Sequence, residues 1–318
     1  MAVSTPDNNN DEGRAGDSGT SAPTRSQDRH APHFICWGEV LWDLFPDGRL
    51  LGGAPANVAC HLATLGERVS LVTRVGDDTL GREARATLRT RGVDVATVQL
   101  DSRRPTGRVE VELTDGEPSY RLIPDCAWEH IELTESAERA LASASSFCFG
   151  TLSQRRSTSA FRQALAMLPA TCLRVCDVNV RPSHVDHAVL ELALEAAQVV
   201  KLNQQEADIL AQRAGVGDLP GWLASTMGVE VVALTRGEAG CVLFRNGERV
   251  EHRGHAAAAG GDNVGAGDAF TAVLARMLVG RRPLADIADR GNRYGAFVAS
   301  QRGATPEPPA ALIEALRR

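Results

Sequence analysis

Residues 262–270 read Asp262-Asn263-Val264-Gly265-Ala266-Gly267-Asp268-Ala269-Phe270. Small residues precede this stretch and an apolar pattern of helical spacing follows it, which predicts a glycine-rich loop that opens into a helix. Such a loop lets an anion approach the backbone, where the first N–H groups of the helix point toward it. Asp268 then has two interpretations. It is the base that takes a proton from an attacking hydroxyl in phosphoryl transfer, or it is an ordinary N-terminal capping residue.

Two familiar phosphate-binding loops are excluded by the sequence. No G-x-x-x-x-G-K-[ST] pattern occurs, so the stretch is not a P-loop. Gly265-Ala266-Gly267 also lacks the third glycine of a dinucleotide fingerprint, and Asp268 would face the pyrophosphate.

Length and composition limit the class of protein. A chain of 318 residues allows one large α/β domain with a small insertion, or two domains. The formal charge, 34 − 40 = −6, argues against a nucleic-acid partner. No apolar run is long enough to span a bilayer and no signal-peptide core is present, so we expect no membrane partner and a cytoplasmic location. The seven scattered cysteines are expected to be buried, reduced thiols.

Strand-like and helix-like patterns alternate along most of the chain. Residues 1–32 are polar and without hydrophobic periodicity, and we expect them to be a disordered tail. From residue 33 to 318 the alternation predicts one domain with a mainly parallel sheet covered by helices on both faces. Later strand candidates lie at 146–150, 174–180, 199–202, 229–235 and 240–244.

The alternation is interrupted by a hairpin pattern. Residues 106–113 alternate apolar and charged side chains, Asp115-Gly116 suits a turn, and residues 119–123 resume the extended pattern. We expect a small antiparallel insertion that could close over a ligand, made of segments near 44–52 and 102–128. Tyr120 and Arg121 could reach a substrate from it; the alternative is a solvated hairpin face.

A second glycine-rich junction lies near the start of the ordered chain. Asp43 follows the first predicted strand, where open α/β sheets bind ligands, and its carboxylate could accept hydrogen bonds from sugar hydroxyls. Gly52-Gly53-Ala54-Pro55-Ala56-Asn57 opens the next helix, and the Asn57 amide could both donate to and accept from a polyol. The alternatives are a turn Asp and a local backbone hydrogen bond of Asn57.

Polar residues also follow the later strands. Asp177, Asn179 and Arg181 share one side of an extended segment by the period of two, and Arg181 could hold a phosphate or carboxylate. Asn203 and Glu206 are spaced as a capping box, with water-mediated magnesium binding as the functional alternative. The turn that contains Thr235, Gly237 and Gly240 could admit a nucleotide.

Taken together, the order of these motifs resembles the ribokinase-like (PfkB-type) family of sugar and nucleoside kinases. The motifs are Gly52-Gly53-x-x-x-Asn57, Asn203-x-x-Glu206, Thr235-x-Gly237-x-x-Gly240 and Gly265-Ala266-Gly267-Asp268. The resemblance runs from about residue 34 to 304. It implies a three-layer α/β/α fold with a central sheet of eight or nine strands and a small β lid. It also implies ATP as the phosphoryl donor and Mg²⁺ as cofactor.

The resemblance also implies roles for individual residues. Asp268 matches the catalytic base, and the N–H groups of Gly265, Ala266 and Gly267 match the anion hole. The sugar contacts implied are Asp43, Gly53 and Asn57, and the ATP-site residues implied are Asn203, Thr235, Gly237, Gly240, Gly265, Gly267 and Asn292. Glu206 matches a magnesium contact through water, and Asp262, Val264 and Gly303 match a monovalent-cation site for K⁺. Asn263 departs from the small hydroxyl residue that the family usually has there.

Within this family the early motifs look most like bacterial fructokinases, so the expected activity is phosphorylation of a sugar hydroxyl by ATP. Tyr120, Arg121 and Arg181 also suit relatives that act on 2-keto-3-deoxygluconate. A ribokinase or nucleoside kinase of the same family, and a non-catalytic sugar or nucleotide sensor, are the other hypotheses. Pairing of two copies through the lid is expected by analogy with dimeric relatives.

Overall fold

The structure is a computed structural model that describes residues 1, 31–45, 48–114, 117–180 and 187–318, without the side chains of residues 111–120. The chain has two units, Met1–Ala31 and Pro32–Arg318, and the fold below is that of the second unit. The tail expected to be disordered lies almost entirely outside the described residues. Its disorder stays a prediction.

Thirteen strands and ten α-helices lie in the described part of the chain. The strands are β1 His33–Trp37, β2 Leu41–Phe45, β3 Gly48–Gly52, β4 Arg68–Gly76, β5 Val98–Asp101, β6 Gly107–Thr114, β7 Glu117–Leu122, β8 Ser146–Phe149, β9 Leu173–Asp177, β10 Val199–Asn203, β11 Val231–Thr235, β12 Cys241–Arg245 and β13 Glu248–His252. The helices are α1 Ala54–Thr64, α2 Thr79–Thr90, α3 Glu135–Leu141, α4 Gln154–Met167, α5 His187–Ala196, α6 Gln204–Ala214, α7 Leu219–Met227, α8 Ala266–Val279, α9 Leu284–Ala299 and α10 Ala310–Arg317.

The large sheet has nine strands in the order β13-β12-β11-β10-β9-β8-β1-β4-β5. The strands from β11 to β5 pair in parallel, and β12 and β13 add an antiparallel edge. Parallel pairs need crossover connections, and the intervening helices supply them. The predicted mainly parallel sheet is confirmed.

Helices cover both faces of this sheet. Along β1, Phe34 and Cys36 join one buried cluster, while Ile35 and Trp37 join another. Because side chains alternate across a strand, the two clusters lie on opposite faces. The first cluster includes side chains of α1, α2, α8, α9 and α10, and the second includes side chains of α3 to α7. The fold therefore has the three-layer α/β/α arrangement that was predicted.

A separate four-stranded sheet has the order β3-β2-β6-β7. It consists of two antiparallel hairpins, β2–β3 and β6–β7, joined by a parallel pairing of β2 with β6. The small inserted sheet was predicted with segments 44–52 and 102–128. The parallel pairing at its centre was not predicted, because it joins segments that lie about 65 residues apart in the sequence.

One local prediction is wrong. The segment from Asp177 to Arg181 was expected to be extended, but β9 ends at Asp177 and Asn179 has a φ of 40°. Asparagine is among the few residue types that tolerate a positive φ, and here it turns the chain after the strand. The alternation of side chains predicted for this segment therefore does not continue past the strand end.

All seven cysteines are free and buried, as expected. Among the described helices, none combines the length and the apolar character needed to cross a membrane.

Candidate functional site

The glycine-rich loop opens α8 as predicted. Gly265 precedes the helix with a φ of 78°, and a Cβ at this position would lie 2.3 Å from the Ala304 carbonyl oxygen. Both observations require glycine here, since other residues disfavour this backbone conformation and the neighbouring backbone leaves no room. The N–H groups of the first turn have no partner within the helix, so this end of α8 favours an anion.

Asp268 is the third residue of α8, and the first turn of a second helix meets it. Asn57, in the first turn of α1, donates from Nδ2 to Asp268 Oδ2 at 2.8 Å. The two residues are 211 positions apart in the sequence, and Asn57 is buried. The structure thus brings the predicted sugar-side helix against the predicted base.

Asp43 joins the same region from the small sheet. It lies on β2 opposite Leu50, and its carboxylate sits over the β3 end, since a Cβ on Gly52 would lie 2.6 Å from Asp43 Oδ2. Gly53 follows immediately and precedes α1. The three predicted sugar contacts, Asp43, Gly53 and Asn57, therefore lie on adjoining elements.

A buried lysine lies beneath the anion-binding end of α8. A Cβ built on Gly267 would be 2.8 Å from Lys201 Nζ, so the ammonium lies directly against the glycine loop. Lys201 Nζ also donates to both carboxylate oxygens of Asp177 at 3.0 Å, and Thr271 Oγ1 donates to Asp177 Oδ2 at 2.7 Å. Asp177 thereby ties β9, β10 and α8 together.

The charge on Lys201 is secured by its surroundings. Burial alone would lower the pKa of this amine, but the carboxylates of Asp177, Glu206 and Asp268 raise the pKa above its usual value. Lys201 is therefore a cation throughout the physiological pH range, and its positive charge adds to that of the helix N-terminus. We did not assign a role to Lys201 from the sequence. The signal was a lysine inside the otherwise apolar run Val199-Val200-Lys201-Leu202.

Asn203 and Glu206 form the capping box of α6. Asn203 Oδ1 accepts from Glu206 N at 2.9 Å, and Glu206 Oε2 accepts from Asn203 N at 2.8 Å. Glu206 Oε1 also accepts from Val180 N at 3.1 Å. Burial, followed by the charge of Asp177, raises the pKa of Glu206 above its usual value. The capping-box interpretation is confirmed, and the magnesium role stays a prediction.

Replacing Glu206 by Gln should lower the free energy of unfolding by about 1–3 kcal/mol, because the new amide NH₂ would face a backbone N–H that it cannot bond. Urea denaturation measures this change. If Glu206 also orients water around magnesium, the Mg²⁺ concentration at half-maximal activity should rise. Asp208→Asn, an exposed change on the same helix, should alter neither quantity. An unchanged magnesium titration in Glu206→Gln would leave the residue with the capping role alone.

The predicted nucleotide residues converge on the turn between β11 and β12. Thr235 ends β11 and donates from Oγ1 to Leu202 O at 3.3 Å, and a short 3₁₀ turn, Gly237–Ala239, leads to Gly240. Asn292 on α9 donates to the Cys241 sulfur at 3.0 Å and to its own helix at Ala288 O. The glycine turn and α9 therefore line one region, next to the end of β10.

The three residues predicted to hold a monovalent cation are joined by hydrogen bonds. Asp262 Oδ1 accepts from Val264 N at 3.1 Å, and Asp262 Oδ2 accepts from Gly303 N at 2.8 Å. Asn263 between them has a φ of 58°, a conformation that asparagine tolerates better than most residues. Asn263 is therefore compatible with this loop, although it departs from the usual residue of the family.

Sequence reasoning missed a histidine behind the anion loop. His61 Nε2 lies 3.0 Å from Ala304 O and its Nδ1 lies 2.9 Å from the Tyr294 hydroxyl. Since a carbonyl only accepts, Nε2 carries the proton and Tyr294 donates to Nδ1. Burial lowers the pKa of His61 to about 4, so the ring is neutral. His61 lies one turn after Asn57, and it holds Ala304, whose backbone packs on Gly265.

The three remaining predicted substrate residues are Tyr120, Arg121 and Arg181. Arg181 lies outside the described residues, and so does the side chain of Tyr120. Arg121 is on β7, exposed, with its guanidinium paired to Glu110 across the hairpin. Their roles stay predictions.

The chain matches the model of the pfkB family of carbohydrate kinases over residues 48–311. The chain belongs to this family. As a pfkB carbohydrate kinase it is a phosphotransferase that acts on a sugar, and its three-layer fold with a small second sheet is that of the family.

Among curated proteins, this pfkB kinase is similar to a fructokinase of Escherichia coli. The two are 33% identical over 291 residues, which cover 86% of this chain and 94% of the relative. Two solved structures have the same fold. A fructokinase from Vibrio cholerae O395 in fructose-, ADP- and calcium-bound form is 25% identical, with a TM-score of 0.75 and coverage of 92% and 100%. An uncharacterized sugar kinase from Pyrococcus horikoshii in complex with ATP is 26% identical, with a TM-score of 0.74 and coverage of 86% and 94%.

Proposed function

We propose that the protein is a fructokinase that transfers the γ-phosphate of ATP to a hydroxyl of fructose. The observation that carries the chemistry is the hydrogen bond from Asn57 to Asp268, because it joins a polyol-binding helix start to a carboxylate at an anion-binding helix start. Similarity to the Escherichia coli fructokinase and to the fructose-bound Vibrio cholerae enzyme supports fructose as the sugar.

Asp268 is the general base in this proposal. Its carboxylate accepts the proton of the sugar hydroxyl as that oxygen attacks the phosphorus. The amide of Asn57 orients the carboxylate, so that one oxygen faces the amide and the other can face the hydroxyl. Because phosphoryl transfer has a loose transition state, most of the rate enhancement comes from positioning and charge stabilisation.

The backbone at the start of α8 and the ammonium of Lys201 stabilise the negative charge that develops on the transferring phosphoryl group. The N–H groups of Gly265, Ala266 and Gly267 form the anion hole in this proposal. The Lys201 ammonium lies against Gly267 and strengthens it, in a setting from which most water is excluded. Asp177 and Thr271 keep the ammonium in place.

The residues present fit a magnesium ion held through water. Each Glu206 oxygen already accepts a backbone N–H, which leaves one further acceptor position on each oxygen for a coordinated water. When bound, Mg²⁺ neutralises charge on the phosphates. Asp262, Val264 and Gly303 form a closed loop next to Gly265 and would be the residues that hold K⁺.

Two roles of the small sheet belong to this proposal. The first is closure over the sugar. Asp43 on β2 supports it, because its carboxylate lies against Gly52 at the end of β3, just before Gly53 and the start of α1. The second is pairing with another copy of the chain through the same sheet. Its strands β3 and β7 lie at the sheet edges and can take a further strand. Light scattering after size-exclusion chromatography tests the dimer.

The activity test is ADP release from Mg-ATP with a panel of acceptors: fructose, ribose, tagatose, 2-keto-3-deoxygluconate and adenosine. We expect turnover with fructose at a kcat/KM at least tenfold above that for each other acceptor. Preference for 2-keto-3-deoxygluconate would instead support a keto-acid kinase in which an arginine binds the carboxylate of the substrate. Preference for adenosine would support a nucleoside kinase. Fructose binding in a thermal-shift assay without turnover would indicate a sensor.

A further inference from the structure

A group of metal-ligand side chains lies apart from the catalytic residues. His252 ends β13, His255 follows in the next loop, and Asp289 is on α9. His255 Nε2 is 2.9 Å from Asp289 Oδ1, and His252 Nε2 is 3.5 Å from the same oxygen. One potential ligand atom from each residue lies within 4.8 Å of the other two, and no other such group occurs in the part of the chain that the structure describes.

We propose that His252, His255 and Asp289 bind a borderline transition-metal dication of the Zn²⁺ class. Two imidazole nitrogens and one carboxylate suit such an ion, whereas Mg²⁺ and Ca²⁺ prefer oxygen ligands alone. Two ligand atoms at about 2.05 Å from a tetrahedral zinc lie about 3.3 Å apart. The distances to Asp289 bracket this value. The three side chains are partly exposed, so water can complete the coordination.

Two features of the structure oppose the ion and limit its affinity. Arg293 Nη2 lies 3.7 Å from Asp289 Oδ2 and brings a positive charge to the site. Gly254 N also donates to His252 Nδ1 at 3.0 Å. A neutral His252 bound through Nε2 carries its proton on Nδ1, so this hydrogen bond must break. The site therefore selects an ion that binds imidazole strongly.

Loss of the Gly254–His252 hydrogen bond on metal binding would affect the nucleotide site, because Gly254 lies next to it. This step rests on the proposed function. Gly254 packs on Gly240, since a Cβ on Gly240 would lie 2.4 Å from Gly254 N. Asp289 lies one turn before Asn292 on α9. The metal site thus contacts both elements that line the proposed nucleotide region. Bound metal shifts Gly254 against Gly240 and weakens ATP binding, which makes the ion an inhibitor.

The binding test is isothermal titration of the full chain, free of any histidine tag, with ZnCl₂ and without nucleotide. We expect one saturable ion per chain. Mutation of a residue that hydrogen-bonds to a metal ligand typically lowers metal affinity by about 10- to 100-fold. Removal of a ligand itself, in His255→Ala or Asp289→Asn, should lower zinc affinity at least as much. Arg293→Gln should tighten binding. His130→Gln is the matched control, because His130 pairs with a single carboxylate, Asp125, and this change should leave affinity unaltered.

Unchanged zinc affinity in both His255→Ala and Asp289→Asn, or no saturable binding, would overturn the site. The coupling has its own readout. Zinc should raise the KM for ATP in the unaltered chain and in His130→Gln, and leave it unchanged in His255→Ala. Zinc binding with an unaltered KM would overturn the coupling and leave the site standing. Because the titration needs no turnover, failure of the proposed kinase activity would not affect the binding result.

Discussion

Replacing Asp268 by Asn is expected to lower kcat by about 10²- to 10⁴-fold, the range that general-base catalysis contributes. The amide cannot take the proton of the sugar hydroxyl. Its carbonyl oxygen can still accept the hydrogen bond that Asn57 donates to Asp268 Oδ2 at 2.8 Å, so the geometry of the two helix starts should persist. The KM for ATP and that for the sugar should change little. Steady-state kinetics with fructose and ATP measures all three quantities.

The matched control is Asp286→Asn. Asp286 is the third residue of α9, as Asp268 is the third residue of α8, so each carboxylate interacts with the first turn of its helix. A first-turn carboxylate is worth about 0.3–1 kcal/mol of stability, and Asp286→Asn should lose this amount. Asp268→Asn should lose at least as much, because its carboxylate also stabilises the charge of Lys201. Only Asp268→Asn should lose kcat. If the two variants kept the same near-normal kcat, Asp268 would be a helix-terminal charge and not the base.

Local sequence signals predicted the elements of this fold well. Gly265 and Gly240 both lie in loops where the backbone has a positive φ, and the sequence placed both in loops. Residues 34–37 of β1 are all apolar, and this run predicted a buried strand, because both faces of a strand in a parallel sheet are covered. The parallel pairing of β2 with β6 was not predictable in this way, since strand pairing depends on contacts remote in sequence.

Sequence motifs identified several residues of the candidate site, but they did not show which of these residues form hydrogen bonds with each other. The roles of Asn57 and Asp268 came from resemblance to a family, but the hydrogen bond between them spans 211 residues and has no local signature. His61 and Tyr294 are 233 residues apart, and each reads as an ordinary helix residue. Lys201 was also missed, although a local signal was present. A lysine in a buried strand needs a partner of opposite charge, so its position could have indicated a buried carboxylate nearby.

That buried charge leads to the second large effect. Replacing Lys201 by Met should lower the free energy of unfolding by about 3–5 kcal/mol, because Asp177 would keep a buried charge without its cation. The kcat should also fall on the order of 10²-fold, since the ammonium that lies against Gly267 no longer stabilises the phosphoryl group. Urea denaturation and steady-state kinetics, each at a temperature where the variant is folded, measure the two losses separately.

Combining Lys201→Met with Asp177→Asn separates stability from catalysis. The double variant removes both charges of the Asp177–Lys201 pair, and the Asn amide oxygen can still accept from Thr271 Oγ1, which donates to Asp177 at 2.7 Å. We therefore expect most of the lost stability to return while kcat stays low. If kcat returned together with stability, Lys201 would be a structural ion-pair partner only. A single variant as stable as the unaltered chain would instead show that Asp177 is not buried as a carboxylate.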